Sequence, residues 1–199
     1  MQSLLPFLIF AFVASITPGP TNILVLGHGA RFGLRATLPL VLGASLAAAL
    51  IVLLVGLGLG EALQRYPRVR QAMSLLGALW LSWLAWKLLR SAAQSFEAAS
   101  ATHRELGPLG AALLQLVNPK VWMMAVAVVS VFAAGSADKA LRVAQLSFVF
   151  LLMTLPCMSV WALLGAGSAR LLQSPQRVRR FNQLLAILLL ASTWLALLL

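Results

Sequence analysis

Acidic residues are nearly missing from this 199-residue chain. Only Glu61, Glu97, Glu105 and Asp138 occur, and all four lie at the ends of apolar stretches or between them. No buried carboxylate pair can be built from them, which excludes two-carboxylate acid–base chemistry. Cysteine occurs once, at Cys157, so an intramolecular disulfide and a Cys/His metal cluster are both ruled out, and the redox compartment stays open. There is no His-Glu-x-x-His and no glycine-rich phosphate loop. His28 falls just beyond the first apolar stretch and His103 in the central loop, so neither is placed to activate a serine at depth. Nothing in the chain calls for a cofactor or a metal.

Charge of either sign is also scarce, at 10% of residues against about 25% in soluble domains. Hydrophobic residues make up 61%. The net charge of +11 does not point to nucleic acid, because no basic face interleaved with aromatics is present. Lys and Arg sit instead at the ends of apolar stretches, where they set topology and meet anionic lipid. Six such stretches can be read between the charges: Leu4–Leu26, Ala36–Gly60, Gln71–Leu89, one within Leu106–Ala137, Val143–Ala169 and Phe181–Leu199. They are continuous rather than alternating, which excludes a barrel. The expected fold is an all-α polytopic membrane protein with six transmembrane helices. Met1 to Ser3 holds no Lys or Arg, which argues against a cleaved signal peptide.

The longest connection, Ser91 to Glu105, divides the chain into residues 1–97 and 104–199, with three spans each. Three is odd, so a second copy would insert upside down, giving two inverted three-helix repeats in a single transmembrane domain. Arg31, Arg35, Lys87, Arg90, Arg104, Arg170, Arg177, Arg179 and Arg180 lie in the odd-numbered loops. Arg65, Arg68, Arg70, Lys139 and Arg142 lie in the even ones. Nine against five makes the odd loops cytoplasmic and places both termini on the periplasmic side. Gly43-x-x-x-Ala47 and Gly56-x-x-x-Gly60 mark faces where backbones can approach. Trp86 beside Lys87, and Tyr66 near Arg65, read as interfacial anchors.

Within the first stretch stands Ser15-Ile16-Thr17-Pro18-Gly19-Pro20-Thr21-Asn22. Each proline lacks an N–H and clashes with the carbonyl four residues back, so the helix breaks and the carbonyls of Ala14 and Ile16 lose their partners. In hydrocarbon those groups need protein or a wet cavity. A polar chamber is one reading and a tolerated kink the other. The matching feature in the second half is Val117-Asn118-Pro119-Lys120. Pro119 frees the carbonyl of Gln115 in the same way. Lys120 is the one strong charge within an apolar stretch, where a lysine costs about 2.5–3.5 kcal/mol at the bilayer centre. It either lines a cavity and meets a substrate carboxylate, or snorkels to the interface from a span that begins at Val121. Asn22 and Asn118 supply amides that suit a zwitterion, or else bond to each other between helices.

Thr17-Pro18-Gly19-Pro20-Thr21-Asn22, Leu75-Leu76-Gly77-Ala78-Leu79-Trp80-Leu81 running to Trp86-Lys87, and Val117-Asn118-Pro119-Lys120 together resemble the LysE/RhtB family of amino-acid exporters across nearly the whole chain. Trp83-Leu84-Ala85-Trp86-Lys87 and Leu114-Gln115-Leu116-Val117-Asn118 look most like its cysteine and O-acetylserine branch. The resemblance implies a six-helix inner-membrane exporter of amino acids or close derivatives, driven by the proton gradient. Basic-amino-acid exporters of this family carry an acid in the second span, where this chain reads Gly43-Ala44-Ser45-Leu46. That departure favours a neutral substrate and leaves no evident acid to carry a coupling proton. The residues expected to bind substrate are Thr17, Pro18, Gly19, Pro20, Asn22, Gly43 and Ser45 from the first half, with Asn118, Pro119 and Lys120 from the second. The expected partners are a small amino acid or derivative, membrane lipid and, as an open alternative, a further copy of the chain. A non-transporting membrane scaffold is the competing reading; it would show unbroken helices packed without a cavity.

Overall fold

The computed structural model describes residues 4–90, 107–134, 136–172 and 174–198. Among these residues all long elements are helical: α1 (Leu5–Ile16), α2 (Pro20–Leu54), α3 (Gly60–Arg65), α4 (Pro67–Arg90), α5 (Pro108–Leu116), α6 (Pro119–Phe132), α7 (Lys139–Ser168) and α8 (Pro175–Leu198). Proline sets most of the starts. Pro20, Pro67, Pro108, Pro119 and Pro175 each open a helix, where a missing N–H has no intrahelical partner to lose. Pro39 and Pro156 are the two that lie inside helices.

Together with the turn over 55–59, α2 is long and apolar enough to cross a membrane, and so is α7. A third such unit is formed by α5 and α6, bent by 69° where they meet. Their outward faces are apolar, and their inward faces mix apolar residues with buried polar ones. Along the second part of α2, Leu38, Leu42, Leu46, Leu50 and Leu54 are exposed at every fourth position, whereas Thr37, Ser45 and several alanines are buried beside Leu40, Val41, Ile51 and Val52. A soluble helix reverses that order; a helix facing lipid has no reason to hide leucine.

Several expected boundaries move. The sequence places a loop over Arg31 and Arg35, but α2 stays helical through both and bends only at Gly33, with φ 79° and ψ 174°. A Cβ makes that conformation costly, so glycine belongs there. The two parts of α2, 20–32 and 34–54, fold back on each other. His28 Nδ1 meets Thr37 Oγ1 at 2.9 Å, whereas nine residues of straight helix would hold them about 13 Å apart. His28 is therefore buried within the helical hairpin rather than lying beyond the first span. At the other side, α4, α7 and α8 begin a turn or more before their apolar windows, at Pro67, Lys139 and Pro175. The physical reason is common to all of these. Arginine and lysine end the hydrocarbon layer without ending backbone hydrogen bonding, because their stems can snorkel. The central stretch 91–106 that separates the expected halves lies outside the described residues.

Four buried clusters hold the described helices together, the smallest being Ala30, Leu172 and Val178. Phe7, Ile51, Val128, Leu146 and Phe150 join α1, α2, α6 and α7. Ile23, Leu81, Leu114, Leu185 and Leu189 join the first part of α2 to α4, α5 and α8. Val25, Val41, Ala111 and Ala162 pack α2 on itself and on α5 and α7. The interruptions at 17–19 and 117–118 stand where the Phe7 cluster gives way to those of Ile23 and Val25. Gly77 of α4 closes on the second interruption, since a Cβ there would overlap the carbonyl of Val117. The anchor pairs also shift: Lys87 Nζ lies 4.3 Å from the Trp83 ring and Arg90 4.4 Å from the Trp86 ring. Neighbours in sequence diverge around a helix, and residues four apart share a face.

Candidate functional site

Both interruptions are stapled by their own asparagines. Asn22, in the first turn of α2, reaches back across Pro18 and Gly19. Its Nδ2 donates to the carbonyls of Ser15, at 2.9 Å, and Thr17, at 3.1 Å. Asn118 caps α6, its Oδ1 accepting from Lys120 N at 3.1 Å. Its Nδ2 donates to Thr21 Oγ1 at 2.9 Å and Gln115 Oε1 at 3.3 Å. Thr21 in turn donates to Gln115 Oε1 at 2.7 Å, and Gln115 Nε2 donates to the carbonyl of Ala44 at 3.0 Å. Asn118 is thus joined to the start of α2 through Thr21 and Gln115, while Asn22 bonds back to the end of α1. All four side chains are buried, so each bond replaces one that hydrocarbon could not offer.

Two of the carbonyls that the prolines release, those of Ile16 and Gln115, are taken up within the protein, while Ala14 lies in the cavity lining. Ile16 O accepts from Trp161 Nε1 at 3.1 Å. Gln115 O accepts from Asn118 N at 3.2 Å as the chain tightens into its turn. Leu116 O, whose helical partner is diverted to the cap, accepts from Trp122 Nε1 at 2.8 Å. Burying a carbonyl alone costs about 1–3 kcal/mol, and an indole N–H can reach it with its ring still in an apolar layer. Thr17 O differs: besides Asn22 it accepts from Lys120 Nζ at 2.7 Å. Thr17 Oγ1 turns back to Val13 O at 2.5 Å.

Between the interruptions lies a cavity of about 20 Å³, room for roughly one water molecule. Gly19, Asn22, Asn118 and Lys120 line it, with Ser15, Thr21, Gln115, Phe150, Thr154 and Met158 among the others. Among the described residues, Lys120 is the only ionisable group in this lining. Pro20 and Pro119 are buried at the first positions of α2 and α6 and orient those helices, while Pro18 is exposed. Gly43 and Ser45 stand apart from the lining. A Cβ on Gly43 would overlap the carbonyl of Pro108, so this glycine serves the contact of α2 with α5. Ser45 Oγ faces Met158 Sδ at 3.6 Å, behind the wall.

Gln115 is the residue that local reading undervalued. Its signal was present, an amide three positions before Asn118 in an apolar helix and so on the same face. Ser15 and Thr154, whose hydroxyls meet at 3.2 Å, carried no such signal, because hydroxyls in membrane helices commonly bond their own preceding turn. Thr154 also does this, donating to Phe150 O at 2.8 Å. The buried His28 meets a hydroxyl too, but Thr37 already donates its proton to Gly33 O at 2.7 Å. That hydroxyl is held as an acceptor and is not poised as a nucleophile.

Known proteins give the same outline. The chain is 30% identical over 184 residues to a cysteine/O-acetylserine efflux protein of Salmonella choleraesuis, covering 92% of this chain and 91% of that one. It is 29% identical over 185 residues to a protein of that description from Escherichia coli O139:H28, covering 92% of each. An uncharacterized membrane protein of Vibrio cholerae is 27% identical over 184 residues, covering 90% of this chain and 89% of its own. No solved structure matches. The family description LysE type translocator matches residues 12–198, which takes in both interruptions and every residue of the cavity wall. The chain belongs to the LysE type translocator family.

Proposed function

We propose that this protein exports a small neutral amino acid, or a close derivative, through the cavity between its two interrupted helices. The observation that carries the reading is the bond from Lys120 at one interruption to Thr17 at the other, across 103 positions of sequence. A polar chamber assembled from both parts of the chain at membrane depth is what alternating access requires. A scaffold would gain nothing from it. The lining offers hydroxyls, amides and one ammonium but no carboxylate. That supports a substrate with a carboxylate for Lys120 to meet and an uncharged side chain. The relatives described as cysteine/O-acetylserine efflux proteins make those two compounds the first candidates.

The wider arrangement follows the same reading. The chain crosses the inner membrane six times as two inverted three-helix repeats, with both termini periplasmic. In favour of this, α4 and α8 are each 24 residues, about 36 Å at 1.5 Å per residue, which is enough for a tilted span. The proton gradient is the proposed energy source, by likeness to the family. Because the cavity holds only about one water, substrate enters after the helices around it part, which is the conformational step of the cycle.

Counterflow in proteoliposomes loaded with a panel of labelled amino acids tests the activity. Exchange of cysteine or O-acetylserine, with no exchange of lysine or arginine, is the expected result. Asn118→Ala and Lys120→Ala should each abolish exchange while the protein still inserts and purifies as wild type does. Wild-type rates in both variants would remove these residues from the site.

A further inference from the structure

Lys120 leaves α6 at its second residue, and its stem passes over Gly19 before the ammonium reaches Thr17 O. A Cβ added to Gly19 would stand 2.9 Å from Lys120 Cδ and 3.1 Å from Nζ. The φ of Gly19 is −155°, extended backbone that any residue adopts. Glycine here gives clearance rather than conformation: a Cβ would push the Lys120 stem aside from its path over residue 19. Thr17 closes α1, and the carbonyls that end a helix carry partial negative charge. An ammonium is the natural complement to such a position, and it is occupied by one belonging to the protein.

We propose that Lys120 is a tethered stand-in for the substrate's own ammonium, a latch that ties the two interruptions together while the site is empty. The idea rests on the amino-acid export reading above and adds how the substrate opens the site. An incoming amino acid brings both complements at once. Its ammonium replaces Lys120 on Thr17 O, and its carboxylate pairs with the displaced Lys120. One N–H···O contact is exchanged for another and an ion pair is gained, so neither the carbonyl nor the lysine is stranded in a low-dielectric site. A compound with one charge cannot do this. An amine without a carboxylate meets Lys120 as a like charge. An N-acylated acid can engage Lys120 but leaves Thr17 O without a cation. The latch is thus also a filter that demands a free zwitterionic head group.

The test uses full-length protein in proteoliposomes with Ser15→Cys as a reporter in the cavity wall and Cys157→Ala to remove the native thiol. The rate of labelling by a small water-soluble thiosulfonate reads how open the cavity is. Lys120→Met and Gly19→Ala, one from each side of the latch, should raise that rate without any amino acid present. The rise should be roughly tenfold or more, the scale of losing one hydrogen bond to a charged group. In the latched parent, O-acetylserine should raise the rate, whereas N-acetylserine and O-acetylethanolamine should not. Parent rates in both Lys120→Met and Gly19→Ala overturn the latch, even if O-acetylserine is exchanged normally. Faster labelling in both variants, with no exchange of O-acetylserine or cysteine by the wild-type protein, upholds the latch and overturns the export reading instead. Equal acceleration by all three compounds overturns the filter.

Discussion

At the scale of single residues, the site is governed by where each polar atom finds its partner. Gln115 serves three partners at once, accepting from Thr21 and Asn118 and donating to Ala44 O. Gln115→Leu keeps the volume but removes all three bonds and leaves the Thr21 hydroxyl without its acceptor, while Asn118 keeps its bond to Thr21. Single interhelical hydrogen bonds in membranes are worth about 0.6 kcal/mol on average, and stranded partners cost more. The expected loss is therefore about 2 kcal/mol, read as a lower midpoint of thermal unfolding in detergent, together with loss of exchange. An unchanged midpoint would show that the three groups find water instead. The ion pair between Lys139 and Glu61 at 2.9 Å is a contrast. Both side chains are largely exposed, so Lys139→Ala should shift stability by no more than about 0.5 kcal/mol. Distance alone does not rank these interactions; access to competing partners does.

At the scale of elements, prolines and glycines divide the labour. Proline chooses where helices start, and that choice is local: five helices open on one, although for α4 and α8 the apolar stretch by itself put the start a turn or more too late. Glycine acts through what lies beside it, which the sequence does not state. Gly33 and Gly107 show the difference. Gly33 holds φ 79° and ψ 174° at the bend of α2, whereas Gly107 holds φ −70° with open space around it. Gly33→Ala should cost about 1–3 kcal/mol and Gly107→Ala almost nothing, measured by unfolding of the two variants side by side. Gly77 is a third kind. Through it α4 closes against the carbonyl of Val117. Gly77→Val should cost about 1–3 kcal/mol by overpacking and, unlike Gly33→Ala, should also slow exchange, since it displaces the second interruption itself.

At the scale of the whole molecule, the proposed three-plus-three arrangement requires both termini on one side of the membrane. Reporters fused before Met1 and after Leu199 should both read periplasmic; one on each side would break the six-span topology. The sequence by itself determined the membrane setting, the helical class, the positions of both interruptions and the family. Hydropathy acts through composition over about 20 residues, and proline acts on a carbonyl only four residues away. Both effects are complete within a short window. Only the tertiary structure decided the rest: that α2 folds back at Gly33, that indoles take up released carbonyls, and that Lys120 lies over Gly19 to reach Thr17. Those partners stand far apart in sequence, 94 residues between Thr21 and Gln115 and 145 between Ile16 and Trp161. A freed carbonyl states a need at its own position, and which distant donor meets it is settled when the helices pack.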